Sequence, residues 1–128
     1  MKNGCLNKNS RVLAFIGDSV WELKIREYFV LNTNKNVNDL QSMTMKFASA
    51  EAHLRFITYL MSHDLLSEAE IGIYKKGRNT KVNERRKNFN SETYHSSTGF
   101  EALIGSLYLA KKFARIEAIL KIIIREFS

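Results

Sequence analysis

From Phe100 onward the apolar residues fall at Phe100, Leu103, Ile104, Leu107 and Tyr108, the i, i+3, i+4, i+7, i+8 spacing that a helix turns into one continuous face. Helical periods recur along the chain, and the two-residue alternation of a half-buried strand does not. With no proline and only six glycines in 128 residues, long helices are rarely interrupted. The pattern predicts an all-α fold, a helical bundle. The length suits one domain with a real core and is short for two, so the expected organisation is a flexible tail over residues 1–9 and a single domain over 10–128.

A first helix is predicted from Ser10, as N-cap, to Leu31, with Val12, Ile16, Val20 and Leu23 on one stripe. Phe15, Trp21 and Ile25 widen that surface, which predicts a central helix touched on several sides. Phe15 and Trp21 read as core or as an interface between two copies. After a polar connector from Asn32 to Asn36, Asn38 opens a second helical region, broken near Lys46 to Ser49. Its two parts carry Leu40, Met43 and Phe47, then Ala52, Phe56, Tyr59 and Leu60. Ser67 begins a short helix with Glu70 at the capping-box position, expected to end at Gly77 as a C-terminal glycine. Residues from Lys81 to Thr93 hold no apolar period and read as a mobile loop. Beyond Lys111-Lys112 a last helix carries Ile116, Ile119, Leu120, Ile123 and Phe127.

No apolar run approaches the roughly eighteen residues that cross a bilayer, and the basic start leads to no signal-peptide core. One cysteine, Cys5, fits a reducing cytoplasm and reads as an inert thiol. The net charge of +7 is concentrated. Between Lys75 and Lys87 stand seven cations, Lys75, Lys76, Arg78, Lys81, Arg85, Arg86 and Lys87, against the single anion Glu84. Such a run can be a plain solvated loop, but with Gly77, Asn79 and Thr80 among the charges it suits a polyanion backbone. His95, between that run and the next helix, is a further candidate for touching such a polyanion. His53 reads as a partly exposed helix residue and His63 as part of a helix end.

Two acids stand inside apolar helical runs. Asp18 follows Gly17 in the run from Phe15 to Glu22, and Glu101 precedes Gly105 by one turn in the run from Thr98. A carboxylate on the buried side of a helix must be paired or bound to metal. Each acid alone reads as an ordinary polar residue on a wet face. The glycines argue otherwise, because glycine inside a helix costs about 1 kcal/mol relative to alanine and asks for a compensating close approach. A crossing of the two helices could be purely structural, or it could bring both carboxylates to one divalent cation. Glu22, one turn beyond Asp18, could add a ligand or an outer partner. Oxygen ligands without cysteine favour Mg²⁺ or Mn²⁺ over Zn²⁺.

These motifs resemble the catalytic domain of ribonuclease III, whose signature helix has an F-L-G-D-[AS]-V core, here Phe15-Ile16-Gly17-Asp18-Ser19-Val20. The likeness is closer to the Mini-III form, which has no double-stranded-RNA-binding domain. Lys76-Gly77-Arg78-Asn79-Thr80-Lys81 resembles that subfamily's R-G-R-N-A-K stretch. The segment from Tyr94 to Leu103 resembles its Y-R-Y-S-T-x-F-E-A-L. The resemblance spans about Ser10 to Phe127. It implies a homodimeric endonuclease cleaving double-stranded or structured RNA, with Asp18 and Glu101 catalytic and metal-binding, and Mg²⁺ promoting attack of water to leave a 5′-phosphate and a 3′-hydroxyl. It further implies a cytoplasmic role in maturing large-subunit (23S) ribosomal RNA precursors, with a ribosomal protein as a candidate partner. Lys76, Arg78, Asn79, Lys81, Arg85, Arg86 and His95 are the expected RNA contacts.

Three acids of the broader ribonuclease III pattern are replaced, by Arg11, Ala14 and Thr98. The Mini-III likeness implies much of the same thinning. The alternative reading is a non-cleaving RNA-binding or ribosome-assembly module with the same fold.

Overall fold

A computed structural model of the chain describes residues 8–80 and 91–128, and the described residues form six helices and no strand. They are α1 (Ser10–Asn32), α2 (Val37–Ala48), α3 (Ala50–Ser62), α4 (Glu68–Arg78), α5 (Ser91–Leu109) and α6 (Phe113–Phe127). The all-α expectation holds. The expected tail over residues 1–9 is described only at residues 8 and 9; residues 1–7, with Cys5, and most of the expected loop, with Lys81, Arg85 and Arg86, lie outside the described residues.

Helix starts follow side-chain capping, with two shifts. Asn9, not Ser10, caps α1, its Oδ1 accepting from the Arg11 amide at 2.7 Å while Ser10 enters the first turn and is buried. Asn36 rather than Asn38 caps α2, accepting from the Asp39 amide at 2.9 Å. The expected break between α2 and α3 falls at Ser49, whose hydroxyl caps α3. The Ser67–Glu70 capping box is present. Glu70 also receives a two-pronged hydrogen bond from Arg115 of α6, which donates as well to the Leu65 carbonyl, so the start of α4 is tied to α6.

Gly77 departs from expectation. It lies inside the last turn of α4, and Asn79 is the C-cap. No glycine among the described residues has positive φ, so Gly77 serves close packing and not a left-handed cap. Likewise α5 starts at Ser91, inside the stretch read as a loop. Its first two turns bury Ser96, Ser97 and Thr98 against neighbouring helices, and polar residues facing polar partners leave no apolar period.

Helix α5 is the centre, packed on α1, α3 and α4. Phe100, Leu103 and Ile104 have no exposed surface. Trp21 is fully buried, edge-on to Phe100 with centroids 5.0 Å apart, and its indole Nε1 donates to the Phe47 carbonyl at 2.8 Å. The inward face of α1 is Leu13, Ala14, Gly17, Val20, Trp21, Ile25 and Phe29. The predicted stripe is therefore rotated: Val12 is 50% exposed and Leu23 64%, with Phe15 at 81%. The cause is Gly17, which must face α5 for the two helices to approach, and which turns Val12, Phe15 and Leu23 outward. Among the described residues no helix is long and apolar enough to cross a membrane.

Candidate active site

The two glycines of the acid motifs meet. A Cβ placed on Gly17 would overlap the Glu101 carbonyl oxygen and stand 2.8 Å from the Gly105 nitrogen. One placed on Gly105 would overlap the Leu13 carbonyl oxygen. Only a pair of hydrogens fits between these backbones, so α1 and α5 cross at Gly17 and Gly105 with main chain against main chain. Asp18 and Glu101 flank the crossing, and it brings their carboxyl groups near enough for Asp18 to act on the Glu101 carboxyl.

The geometry leaves that pair electrostatically incomplete. Asp18 is on the exposed face of α1, whereas the Glu101 side chain is only 17% exposed. Burial first, then the Asp18 charge and the hydrogen bond with Asp18, push the Glu101 carboxyl up to about 9. A carboxyl raised in this way beside a second one is a ready site for a hard cation, which would favour its ionised form.

Behind Glu101 lies a histidine that departs from expectation. His53 of α3, expected to be partly exposed, is 1% exposed. Its Nδ1 is 2.9 Å from Ser97 Oγ and 3.8 Å from Glu101 Oε2, and its Nε2 has no partner. Burial lowers the imidazole to about 4 against a smaller opposing pull from Asp18. At neutral pH His53 and Glu101 therefore meet as uncharged groups and not as an ion pair. The signal was available in the spacing: Ala52, His53, Phe56, Ile57 and Leu60 form one inward stripe of α3. His63, by contrast, is exposed and stacked on Tyr59.

Glu22 lies one turn after Asp18 and lines the same surface hollow, about 280 Å³, together with Ser19, Leu23 and Arg26. Its Oε2 is engaged by Arg26 Nη2 at 2.6 Å. Among the described residues no group of three or more His, Cys, Asp or Glu side chains gathers, so Glu22 does not join the Asp18–Glu101 pair in this arrangement. The three replaced acids also stay out of it. Arg11 is exposed, Ala14 is buried with Leu13 and Ala102, and Thr98 donates to the Tyr94 carbonyl of its own helix.

The basic end of α4 is held by a second glycine contact. A Cβ on Gly77 would stand 2.9 Å from Gly99 Cα, and one on Gly99 would strike the Tyr74 ring. Tyr74 donates to Ser96 Oγ at 3.3 Å, and His95 Nδ1 is 2.6 Å from the Arg78 carbonyl, donating to it. The Arg78 guanidinium sits 5.6 Å from the Tyr74 ring centroid. Arg78, Asn79 and His95 thus line one open hollow of about 300 Å³ with Glu92 and Ser96, while Lys76 is exposed on the same turn. Lys75, Lys76 and Arg78 also suit the negative end of the α4 dipole, which is reason enough for cations there even without RNA.

Residues 11–112 match the model of the ribonuclease III domain, a span that contains both acid motifs and the basic turn of α4. The chain belongs to the ribonuclease III family. It is 43% identical over 122 residues to the Mini-ribonuclease 3 of Clostridium tetani, spanning 94% of this chain and 79% of that protein. It is 39% identical over 116 residues to the Mini-ribonuclease 3 of Staphylococcus aureus, spanning 91% and 87%. Protein FN1578 from Fusobacterium nucleatum, a solved structure, superposes with a TM-score of 0.80 at 29% identity, covering 94% of both chains. As a ribonuclease III domain with Mini-ribonuclease 3 relatives over most of its length, the chain is an endoribonuclease of the ribonuclease III type.

Proposed function

We propose that this endoribonuclease is dependent on a divalent metal, Mg²⁺ with Mn²⁺ as a substitute, and cleaves double-stranded or structured RNA to leave a 5′-phosphate and a 3′-hydroxyl. Asp18 and Glu101 are its catalytic and metal-binding residues. The observation that supports this reading is the approach of the two acids at the Gly17–Gly105 crossing, with the Glu101 carboxyl pushed up to about 9 by burial and then by the neighbouring Asp18. An all-oxygen pair fits a hard cation. When bound there, the ion supplies Lewis acidity beside the scissile phosphate, easing deprotonation of the attacking water and offsetting charge on the phosphate. Glu101, largely buried on α5, and Asp18, on the exposed face of α1, would hold the ion, and Glu22 would join them only by releasing Arg26.

The surface agrees with a duplex RNA substrate read through its phosphates and 2′-hydroxyls, for which stacking aromatics are not needed. Lys76, Arg78, Asn79 and His95, with Lys81, Arg85 and Arg86 beyond the described residues, are the proposed RNA contacts. The outward apolar row of Val12, Phe15 and Leu23 on α1 supports a two-fold homodimer. The proposed role is maturation of 23S ribosomal RNA precursors in the cytoplasm, with a ribosomal protein as a candidate helper.

Asp18→Asn and Glu101→Gln should each abolish cleavage while leaving folding and RNA affinity nearly intact; full activity in either ends the assignment. Cleavage in Mg²⁺ that stops in EDTA separates this reading from a non-cleaving assembly module. Charge removal at Arg85 and Arg86 should weaken binding and flatten its salt dependence. Sedimentation should find a dimer at micromolar concentration and a monomer for Phe15→Glu.

A further inference from the structure

His53 is a polar side chain where packing calls for an apolar one. It is 1% exposed, its ring 4.9 Å from Phe100 and 6.3 Å from Phe56, on a stripe otherwise made of Ala52, Phe56, Ile57 and Leu60. A buried polar group with one nitrogen unpartnered weakens the core, so the imidazole must be kept for something other than packing. Its neighbours say what. Nδ1 reaches Ser97 Oγ at 2.9 Å and faces Glu101 Oε2 at 3.8 Å, and Ser97 lies one helical turn before Glu101 on α5. The unpartnered atom also tells the tautomer. An orphaned buried N–H is costlier than an orphaned ring lone pair, so the hydrogen belongs on Nδ1 and Nε2 is bare.

We propose that His53 is a positioning residue for Glu101: as the Nδ1–H tautomer it donates to Ser97 and directs the positive end of that N–H at the Glu101 carboxyl group from its buried side, keeping the group turned toward Asp18. The imidazole acts through Glu101 and touches neither RNA nor the reacting atoms. It does for an oxygen ligand what outer-shell partners do for metal ligands generally, fixing orientation before the ion arrives. This inference rests on the metal reading of Asp18 and Glu101.

Two readouts on the full chain test it. Nitrogen-15 NMR of the wild type should find His53 Nδ1 protonated and Nε2 bare, with and without Mg²⁺; an Nε2–H tautomer or an imidazolium overturns the proposal. Mn²⁺ titration, read by electron paramagnetic resonance of the free ion, should separate binding from stability. His53→Phe refills the core and should unfold at or above the wild-type temperature, yet bind Mn²⁺ roughly 10-fold or more weakly. His53→Asn sets an amide N–H near the place of Nδ1 but leaves a cavity, so it should melt lower while recovering most of the affinity. Affinity that instead follows stability, tight in the Phe variant and weak in the Asn variant, overturns the proposal. Wild-type protein that binds no Mn²⁺, or Asp18→Asn that binds it equally well, defeats the metal reading and this inference together. Wild-type binding that is lost in Asp18→Asn and unchanged in His53→Phe defeats the inference alone. Should the Phe variant fail to fold, the NMR tautomer and the Asn variant still decide.

Discussion

Helix α5 is crossed twice by glycine against glycine, and the two crossings end in opposite electrostatics. At Gly77–Gly99 the flanking polar groups find partners within the chain: Tyr74 with Ser96, His95 with the Arg78 carbonyl, and Arg78 over the Tyr74 ring. At Gly17–Gly105 the same device brings two carboxyls together, and among the described residues no lysine or arginine pairs with either. Missing Cβ atoms set only how near two helices come; the residues beside them decide whether the contact is finished or waits for a ligand. The finished crossing anchors the basic turn, and the unfinished one is where we propose the ribonuclease III chemistry takes place.

The sharpest way to break this comparison is to add one methyl group at each crossing. Gly17→Ala must drive backbone from backbone, and overpacking without a side chain that can yield should cost upwards of about 3 kcal/mol in urea unfolding and remove nearly all cleavage. A stable, active Gly17→Ala protein contradicts the crossing.

The next effect is electrostatic. The folded chain holds the Glu101 proton up to about 9, against an ordinary 4.5, so it carries the extra proton and loses stability as pH rises through that window. His53 acts in the other sense, being neutral when folded down to about 4 and charged below 6.5 when unfolded, so stability is lost as pH falls below 6.5. Between 4.5 and 6.5 the two slopes oppose one another, and from 6.5 toward 9 only that of Glu101 remains. In EDTA the protein should lose of order 1 kcal/mol per pH unit across that upper window. Thermal melts should find this slope absent in Glu101→Gln and in saturating Mg²⁺. An unchanged slope in Glu101→Gln would mean that the carboxyl pair is not what titrates.

At the finished crossing the methyl should matter less. The Cβ of Gly77→Ala meets Gly99 Cα at 2.9 Å and Ala102 Cβ at 3.0 Å, with no carbonyl overlapped, so a cost of about 1–2 kcal/mol is expected, with weakened RNA binding and retained cleavage. Gly72 has open space around it, so Gly72→Ala should stabilise α4 by about 0.5–1 kcal/mol. If Gly72→Ala destabilises as much as Gly77→Ala, close approach is not what the glycines on α4 provide.

Much of this was open to a reader of the residues alone. The apolar periods of α5 and α6 and the Ser67–Glu70 box were legible because each is a local signal of known spacing, and the unusual glycines beside Asp18 and Glu101 announced a close crossing. Three features were not. The apolar surface of α1 is broad enough that its period alone could not say which side faces inward; Gly17 and Trp21 decide it, and Val12, Phe15 and Leu23 go outward. The first turns of α5 bury serines and a threonine, which leave no apolar period to read. His53 reads as a partly exposed helix residue when its polarity is weighed ahead of its place on the Ala52–Leu60 stripe; Ser97 and Glu101, arriving from another helix, give it its buried neighbours.

The most direct test is a crystal grown or soaked with Mn²⁺ and mapped by anomalous scattering. A peak held between the Asp18 and Glu101 carboxylates, vanishing in Asp18→Asn, is the expected result. No peak there, with the two carboxyls still bonded to each other and Mn²⁺ seated elsewhere, would contradict the assignment of this crossing as the catalytic centre.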